Sequence, residues 1–468
     1  MTERVKAVAA GCAVAAFWLV AWTLVAALVA QPLILPGPGA VALALLRLMC
    51  DGGTWAILAG SGARILGGLA LAAVCGGVLA GISVRSRLFA RLVAPALSFI
   101  KATPVACVVV LLLIWLGSAR VSIAAVFLMA LPGVYFSLVE GLAQVNKPLE
   151  QMFRLHGVRG WRLFCAHTWR EVLPFVLSCA RAVIGMSWKA GVAAELIGMA
   201  AGTVGERIYQ AKLLIETADL LAWTVLVVAA SWVCERALVR LLRASGPVAW
   251  RVAVRAHGRG ARGRAGGAAG DALRRAGGTG GNDAAGDEAE GGLALAVGDR
   301  APWAPALDGL VLNVPAGGRA CVMGASGVGK STLLALAAGE CTPCSMVYQD
   351  VRLVEDASAL DNVLVCADAR VDASSAAALL RLLVPGIDVQ ARVAELSGGQ
   401  RRRVEIARAL LRPGDAVILD EPFTGLDVAA RDAAAEVVLD LLDGRLLLLA
   451  THDATDAQVL NITNLITL

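Results

Sequence analysis

Apolar residues gather into long unbroken runs up to about residue 245 and into short, punctuated runs after about residue 292. A helix rising 1.5 Å per residue needs about 20 apolar residues to cross about 30 Å of hydrocarbon. Runs near that length fall at Ala7 to Ala30, Ile65 to Ile82, Pro104 to Leu116, Val121 to Leu142, Val176 to Ala194 and Leu220 to Val239, the third being short. They predict an all-α polytopic membrane domain of about six transmembrane helices over residues 1–244. The first run is too long for a signal-peptide core and does not end in an A-x-A site immediately before Gln31, so it is expected to stay as an anchor. The later apolar runs are strand-sized and alternate with helical stretches, which predicts an α/β domain over 293–468.

Composition agrees with this division. Hydrophobic residues make up 58% of the 468 even before the 50 glycines are added, and only 17% are charged. A purely soluble, disordered or collagen-like chain is excluded. The net charge of +5 is too small to argue for nucleic acid, and none is expected as a partner. Distribution is more informative. Arg85, Arg87, Arg91 and Lys101 follow the second run, Lys147, Arg154, Arg159, Arg162 and Arg170 the fourth, and Arg236, Arg240 and Arg243 close the sixth. By the positive-inside rule both termini and the second domain face the cytoplasm, in an inner-membrane, multi-pass protein whose surroundings are the lipid bilayer.

Residues 245–292 change character, with Gly, Ala and Arg dominating. Such a stretch cannot bury enough apolar surface to order itself and is expected to be a flexible linker. Its basic first part suits either a solvated tether or contact with anionic headgroups. RNA is disfavoured, because no aromatic residues interleave the arginines. The eleven cysteines show no framework spacing, and the C-x-x-C at Cys341 and Cys344 has no second pair to complete a metal site. In the fifth run, Arg181, Lys189 and Glu195 are expected to share one helix face, either lining a wet pathway or snorkelling from the ends.

Gly324 to Thr332 reads GASGVGKST, between a strand-like lead-in and a helical follow-on. This is the context in which a Gly-rich loop cradles phosphates. Gly324, Ser326, Gly327 and Gly329 form the loop with Thr332 closing it, Lys330 places a point charge on the β/γ-phosphates, and the Ser331 hydroxyl is suited to Mg²⁺. Ala416 to Leu419 is a short apolar strand ending in Asp420-Glu421-Pro422. Asp420 can hold Mg²⁺ there while Glu421 orients an attacking water.

Leu396 to Gln400 is LSGGQ, followed by the basic helix RRRVEIARALL. Residues 293–468 thereby resemble the ATPase of ATP-binding cassette (ABC) transporters. Gln349 resembles the Q-loop residue, Asp427 the D-loop residue, His452 the switch histidine and Trp303 the aromatic that stacks on adenine. The resemblance implies ATP and Mg²⁺, with Ser331, Gln349 and Asp420 around the metal. It implies two ATPase domains head to tail, each ATP held between one phosphate loop and the other domain's Ser397, Gly398, Gly399 and Gln400. Glu421 would be the general base and His452 the γ-phosphate sensor. Lys330 and Gln349 are only 19 positions apart, roughly half the family's usual interval, so the antiparallel strands between them are expected to be missing.

The membrane half resembles the permeases of binding-protein-dependent importers of the nitrate, sulfonate and taurine type. Gln151 to Phe175 resembles their coupling loop, with Gly157 as its glycine and Leu173-Pro174 closing it, although its Glu-Ala-Ala opening is replaced by Gln151-Met152-Phe153. LPGP at Leu35, IWLG at Ile114 and WKAGVAAE at Trp188 fit the same group. The resemblance implies a homodimer that takes up a small solute delivered by an extracytoplasmic solute-binding protein. An export half-transporter and a membrane-anchored regulatory ATPase are the alternatives.

Overall fold

The computed structural model describes residues 2–255, 292–297, 304, 307–341 and 343–468, and these divide into two compact units. The first holds residues 2–145 and 171–246, the second 146–170 and the described part of 247–468. Of the linker expected at 245–292, residues 256–291 lie outside the described residues, as does Trp303.

The first unit is helical. Its elements are α1 (Thr2–Val29), α2 (Pro38–Cys50), α3 (Gly52–Arg85), α4 (Arg87–Ala102), α5 (Val105–Leu116), α6 (Ser118–Ala143), most of α9 (Trp169–Gly198), α10 (Val204–Leu213) and the greater part of α11 (Thr217–Arg255). The starts are capped as the sequence demands: Asp51 accepts the Gly53 N–H and Ser86 the Phe89 N–H. The closest packing is of α3 on α6. Gly68, Ala72, Gly76 and Ala80 recur every fourth residue on one buried face of α3, and a Cβ at Gly68 would lie 2.5 Å from Ile123 O. Small residues at that spacing let two helix backbones meet, the usual substitute for hydrophobic driving force in lipid.

Each of the expected runs falls on a helix of this unit, one of them short. Among the described residues, four helices are long and apolar enough to cross a membrane, or five if α4 and α5 count as one. α5 has twelve residues, about 18 Å of helix, and is bent 103° from α4 across Thr103 and Pro104. Hydropathy alone does not register such a break. The first expected run lies on α1, a helix of 28 residues.

The charges of α9 also depart from expectation. Arg181 and Lys189 are exposed, whereas Glu195 is fully buried. Glu195 points into α3, accepting hydrogen bonds from Ser61 Oγ at 2.8 Å and Arg64 Nε at 3.2 Å, with the Gly205 N–H at 3.4 Å. The common face is therefore replaced by a buried ion pair, because a partner on the neighbouring helix neutralises the carboxylate.

The second unit is built on a five-stranded parallel sheet in the order β4-β5-β6-β3-β7. The strands are β3 (Arg319–Met323), β4 (Cys344–Val347), β5 (Ala416–Asp420), β6 (Leu446–Thr451) and β7 (Asn464–Thr467). A hairpin of β1 (Leu293–Ala296) and β2 (Val311–Val314) forms a separate two-stranded antiparallel sheet. β5 and β6 are buried along their whole length, as expected where apolar clusters cover both faces of a parallel sheet. One face packs α12 (Lys330–Glu340) and the hairpin, the other α13 (Ala359–Leu364), α14 (Ala373–Leu383), α15 (Gly398–Leu410) and α16 (Val428–Leu441). Among the described residues, only α12 and β4 separate Lys330 from Gln349 as regular elements, so no antiparallel strands intervene.

Residues 245–255, expected to open the linker, are helical. α11 continues to Arg255, through Gly246 and Pro247. Trp250 and Ala253 are buried in a cluster with Leu149, Phe153, Val354 and Cys366. Packing of that face offsets the helix-breaking tendency of the two residues.

Candidate nucleotide site and coupling segment

Parallel pairing brings several strand ends to one edge. Met323 aligns with Thr451, Asp420 with Ala450 and Val347 with Leu419. Gly324, Gln349, Glu421 and His452 therefore leave the sheet on the same side, where ligands of open α/β sheets bind.

After β3 the loop turns through φ of 84° at Gly327 and 114° at Gly329, a region that glycine enters without steric cost. It ends at the N-terminus of α12, a favourable place for anionic phosphate. Lys330 is buried, and its Nζ donates to Gly324 O at 2.7 Å and Ala325 O at 3.0 Å, which holds the ammonium across the loop. Ser326 and Gly327 are exposed and Thr332 is half-buried.

The Ser331 hydroxyl meets the carboxylate of Asp420. Asp420 is buried, and burial pushes its pKa above the usual carboxylate range, against the pull of Ser331, Arg402 and Lys330. Its Oδ1 has no hydrogen-bond partner. A buried, unsatisfied carboxylate oxygen beside a hydroxyl is the donor set that a hard divalent cation satisfies, so these residues fit Mg²⁺. Gln349 is exposed on the same edge.

Glu421 has φ of 46°, unusual for a side chain of its size. Such a conformation costs on the order of 1–3 kcal/mol and persists where its surroundings impose it. Here its N–H donates to Ala450 O at 2.8 Å and its carbonyl accepts from Arg402 Nη2 at 2.6 Å. The carboxylate faces His452, with Nδ1 3.3 Å from Oε1.

LSGGQ forms a second group. Ser397 caps α15: its Oγ accepts the Gln400 N–H at 3.3 Å, and Gln400 Oε1 accepts the Ser397 N–H at 2.9 Å, a capping box. Gly398 is exposed. A Cβ on Gly399 would lie 3.2 Å from Leu426 and 3.3 Å from Gly425 O, so the signature abuts the D-loop. Asp427 caps α16 through the Ala430 N–H at 2.7 Å. The structure thus joins Lys330, Ser331, Asp420, Glu421 and His452 in one cluster and the signature with the D-loop in another.

Two family models match the chain: "Binding-protein-dependent transport system inner membrane component" over residues 73–245 and "ABC transporter" over residues 307–424. Among curated proteins, the aliphatic sulfonates import ATP-binding protein SsuB 1 of Paracoccus denitrificans is 34% identical over 182 residues, covering 36% of this chain and 74% of the relative. The chain belongs to the ABC transporters. The thiamine import ATP-binding protein ThiQ of Jannaschia sp. is 35% identical, covering 31% of this chain and 76% of its own length. The taurine import ATP-binding protein TauB of Chromobacterium violaceum is 38% identical, covering 33% and 69%. This ABC transporter is of importer type, with permease and ATPase in one chain, and its ATPase hydrolyses ATP in support of transport.

In the transporter's second unit, residues 146–170 pack onto the ATPase fold. α7 (Lys147–Leu155) is capped by Asn146 and buries Leu149, Met152 and Phe153, and the short α8 (Gly160–Leu163) buries Leu163. Gly157 follows with φ of 74°, and a Cβ there would lie 2.6 Å from Arg412 Nη2. Arg162 Nη2 donates to Val365 O at 3.2 Å. The end of α11 adds a further contact that sequence reasoning missed: Trp250 Nε1 donates to Asp361 Oδ2 at 3.0 Å, with the Arg170 guanidinium 5.0 Å from the ring centre. The signal for it was an aromatic residue in a stretch read as linker.

His156 sits at the C-terminal end of α7, its Nδ1 2.9 Å from Met152 O. Burial first, and then Arg408 and Arg412, lower its pKa to about 3. The folded protein keeps the ring neutral, while the unfolded chain takes up a proton below its ordinary value near 6.5. The stability this provides is complete above pH 6.5 and is lost as pH falls toward 3, about 2 kcal/mol of it by pH 5. Thermal unfolding followed from pH 7.5 to 5 should show that loss, and His156→Gln should flatten it. An identical slope in the variant would exclude His156 as its source.

Proposed function

We propose that the chain works as a homodimer in the cytoplasmic membrane, ATPase domains and termini inside, taking up a small solute delivered by a separate extracytoplasmic binding protein. The observation that carries this reading is the segment 146–170, importer-like in sequence and packed within the ATPase unit through Gly157 and Arg162. Lys330 and the glycine loop would hold the triphosphate, while Ser331 and Asp420, with Gln349, would hold Mg²⁺. The metal supplies charge neutralisation on the phosphates. Glu421 accepts the proton of the attacking water, and His452, 3.3 Å away, keeps the carboxylate aimed. Ser397 to Gln400 present a helix N-terminus to the nucleotide of the partner copy. The solute belongs with those that the relatives' names record: sulfonates, taurine or thiamine.

Uptake of radiolabelled taurine, an alkanesulfonate and thiamine by vesicles carrying the protein and a matched binding protein tests the reading. ATP-dependent accumulation of one of them supports it; export, or hydrolysis indifferent to every binding protein, would overturn it. Gly157→Val places a β-branched residue at a positive φ, a strain of about 1–3 kcal/mol. It should reduce uptake at least tenfold with ATP hydrolysis retained, and unchanged uptake would separate Gly157 from coupling.

A further inference from the structure

Behind the exposed Gln349, charged side chains run without a gap from α7 to the catalytic edge. Arg352 opens the series. Its Nη1 donates to Pro148 O at 3.2 Å, and its guanidinium lies 3.6 Å from the centre of the Tyr348 ring. Its main-chain N–H donates to Glu405 Oε1 at 2.6 Å, and its carbonyl accepts from Arg408 Nη1. Glu405, wholly buried on α15, pairs with Arg402 at 3.0 Å and Arg408 at 3.3 Å. Arg402 closes the series: Nη1 donates to Tyr348 O, and Nη2 donates to Asp420 O at 2.9 Å and Glu421 O at 2.6 Å.

A buried charge triad is a poor source of stability, since well-packed apolar residues commonly do as well. What this triad does have is geometry. One guanidinium grips the residue preceding Gln349 and both residues of the catalytic pair, and the carboxylate behind it grips the main chain of the residue that touches α7. A shift of Pro148 pulls Arg352, and through Glu405 and Arg402 it reaches the carbonyl of Glu421. With Glu421 held at φ of 46°, a small turn of that peptide re-aims its carboxylate.

We propose that Arg352, Glu405 and Arg402 are positioning residues forming a relay from the coupling segment to Glu421, through main-chain carbonyls and independently of the Gln349 side chain. The proposal rests on the reading of 146–158 as coupling segment and Glu421 as base. The element that both ends would bias is the Glu421 peptide, held between Arg402 and Ala450 O.

The test is amide hydrogen exchange on the full chain carrying Glu421→Gln, with and without Mg-ATP, reading residues 324–334 and 146–158. Nucleotide should protect the first segment and alter exchange in the second. Arg352→Ala removes the side-chain links to Pro148, Tyr348 and the neighbouring Asp350, and keeps the main-chain bonds to Glu405 and Arg408. Protection at 324–334 should then stay within twofold, while the response at 146–158 falls at least fivefold. An undiminished response there would overturn the relay. Absent protection at 324–334 in the parent would instead overturn the nucleotide-site reading, and the relay with it.

A second measurement guards against simple misfolding. On the Glu421 background, Arg402→Gln should lower kcat for ATP at least tenfold with KM within twofold. Arg402→Met/Glu405→Leu/Arg408→Met, which removes the whole buried triad and leaves no charge unpaired, should recover the melting temperature but not kcat. Recovery of both together would make the cluster structural and end the proposal.

Discussion

Glu421→Gln is expected to lower ATP turnover by at least about a hundredfold, the usual worth of a positioned general base, and to leave nucleotide bound. Gln keeps the length of the side chain and an oxygen that can accept from His452 Nδ1, now 3.3 Å from Oε1. It keeps the main-chain bonds to Ala450 O and Arg402 that hold the left-handed backbone. Only the ability to take a proton from water is lost. Lys330, Ser331 and Asp420, which would hold the triphosphate and its metal, are untouched. Phosphate release and retention of labelled ATP through gel filtration, measured on the same sample, separate the two effects. Turnover within threefold of the parent would remove Glu421 from the base role. Loss of retention together with turnover would show that the side chain is needed for binding.

The contrast between Glu421 and Arg402 shows which parts of this molecule were legible in the sequence. GASGVGKST, Asp420-Glu421 and His452 are short motifs at the ends of apolar strands and LSGGQ opens a helix, and each is tied to backbone geometry that few other residues satisfy. Gly327 and Gly329 at positive φ and Ser397 in its capping box are examples. Arg402, Glu405 and Arg408 recur every third residue on α15, the pattern of an ordinary solvated face. That this face turns inward depends on Tyr348 O and Glu421 O, carbonyls that no local signal announces. The same limit explains the membrane half. Hydropathy located the apolar runs, but the 103° bend before α5 is a matter of dihedral angles around Pro104. Likewise Gly246-Pro247 reads as a stop until Trp250 finds its pocket beside Phe153.

The membrane half supplies the other large effect. Glu195→Leu is expected to destabilise the first unit by about 3–5 kcal/mol, the range for breaking a buried charge pair by removing one partner. The lower end applies, because the Arg64 side chain is 27% exposed and part of its charge is screened by surroundings. The loss is more than Coulombic. Ser61 Oγ gives up its acceptor at 2.8 Å, and the Gly205 N–H loses the oxygen at 3.4 Å in the same buried space. Ser61 Oγ also accepts the Val204 N–H at 3.0 Å, so the start of α10 is anchored through this carboxylate. Arg64→Met combined with Glu195→Leu removes both charges and should regain most of the loss, whereas an additive double variant would show that the two residues act independently. Thermal unfolding in detergent, followed by intrinsic tryptophan fluorescence, reads all three proteins. If Glu195→Leu melts within about 1 °C of the parent while uptake disappears, the carboxylate serves the solute pathway rather than the packing of α3, α9 and α10. A common loss of stability and uptake, both restored in the double variant, would identify a structural clamp in the place where the run of charges on α9 had pointed to a pathway.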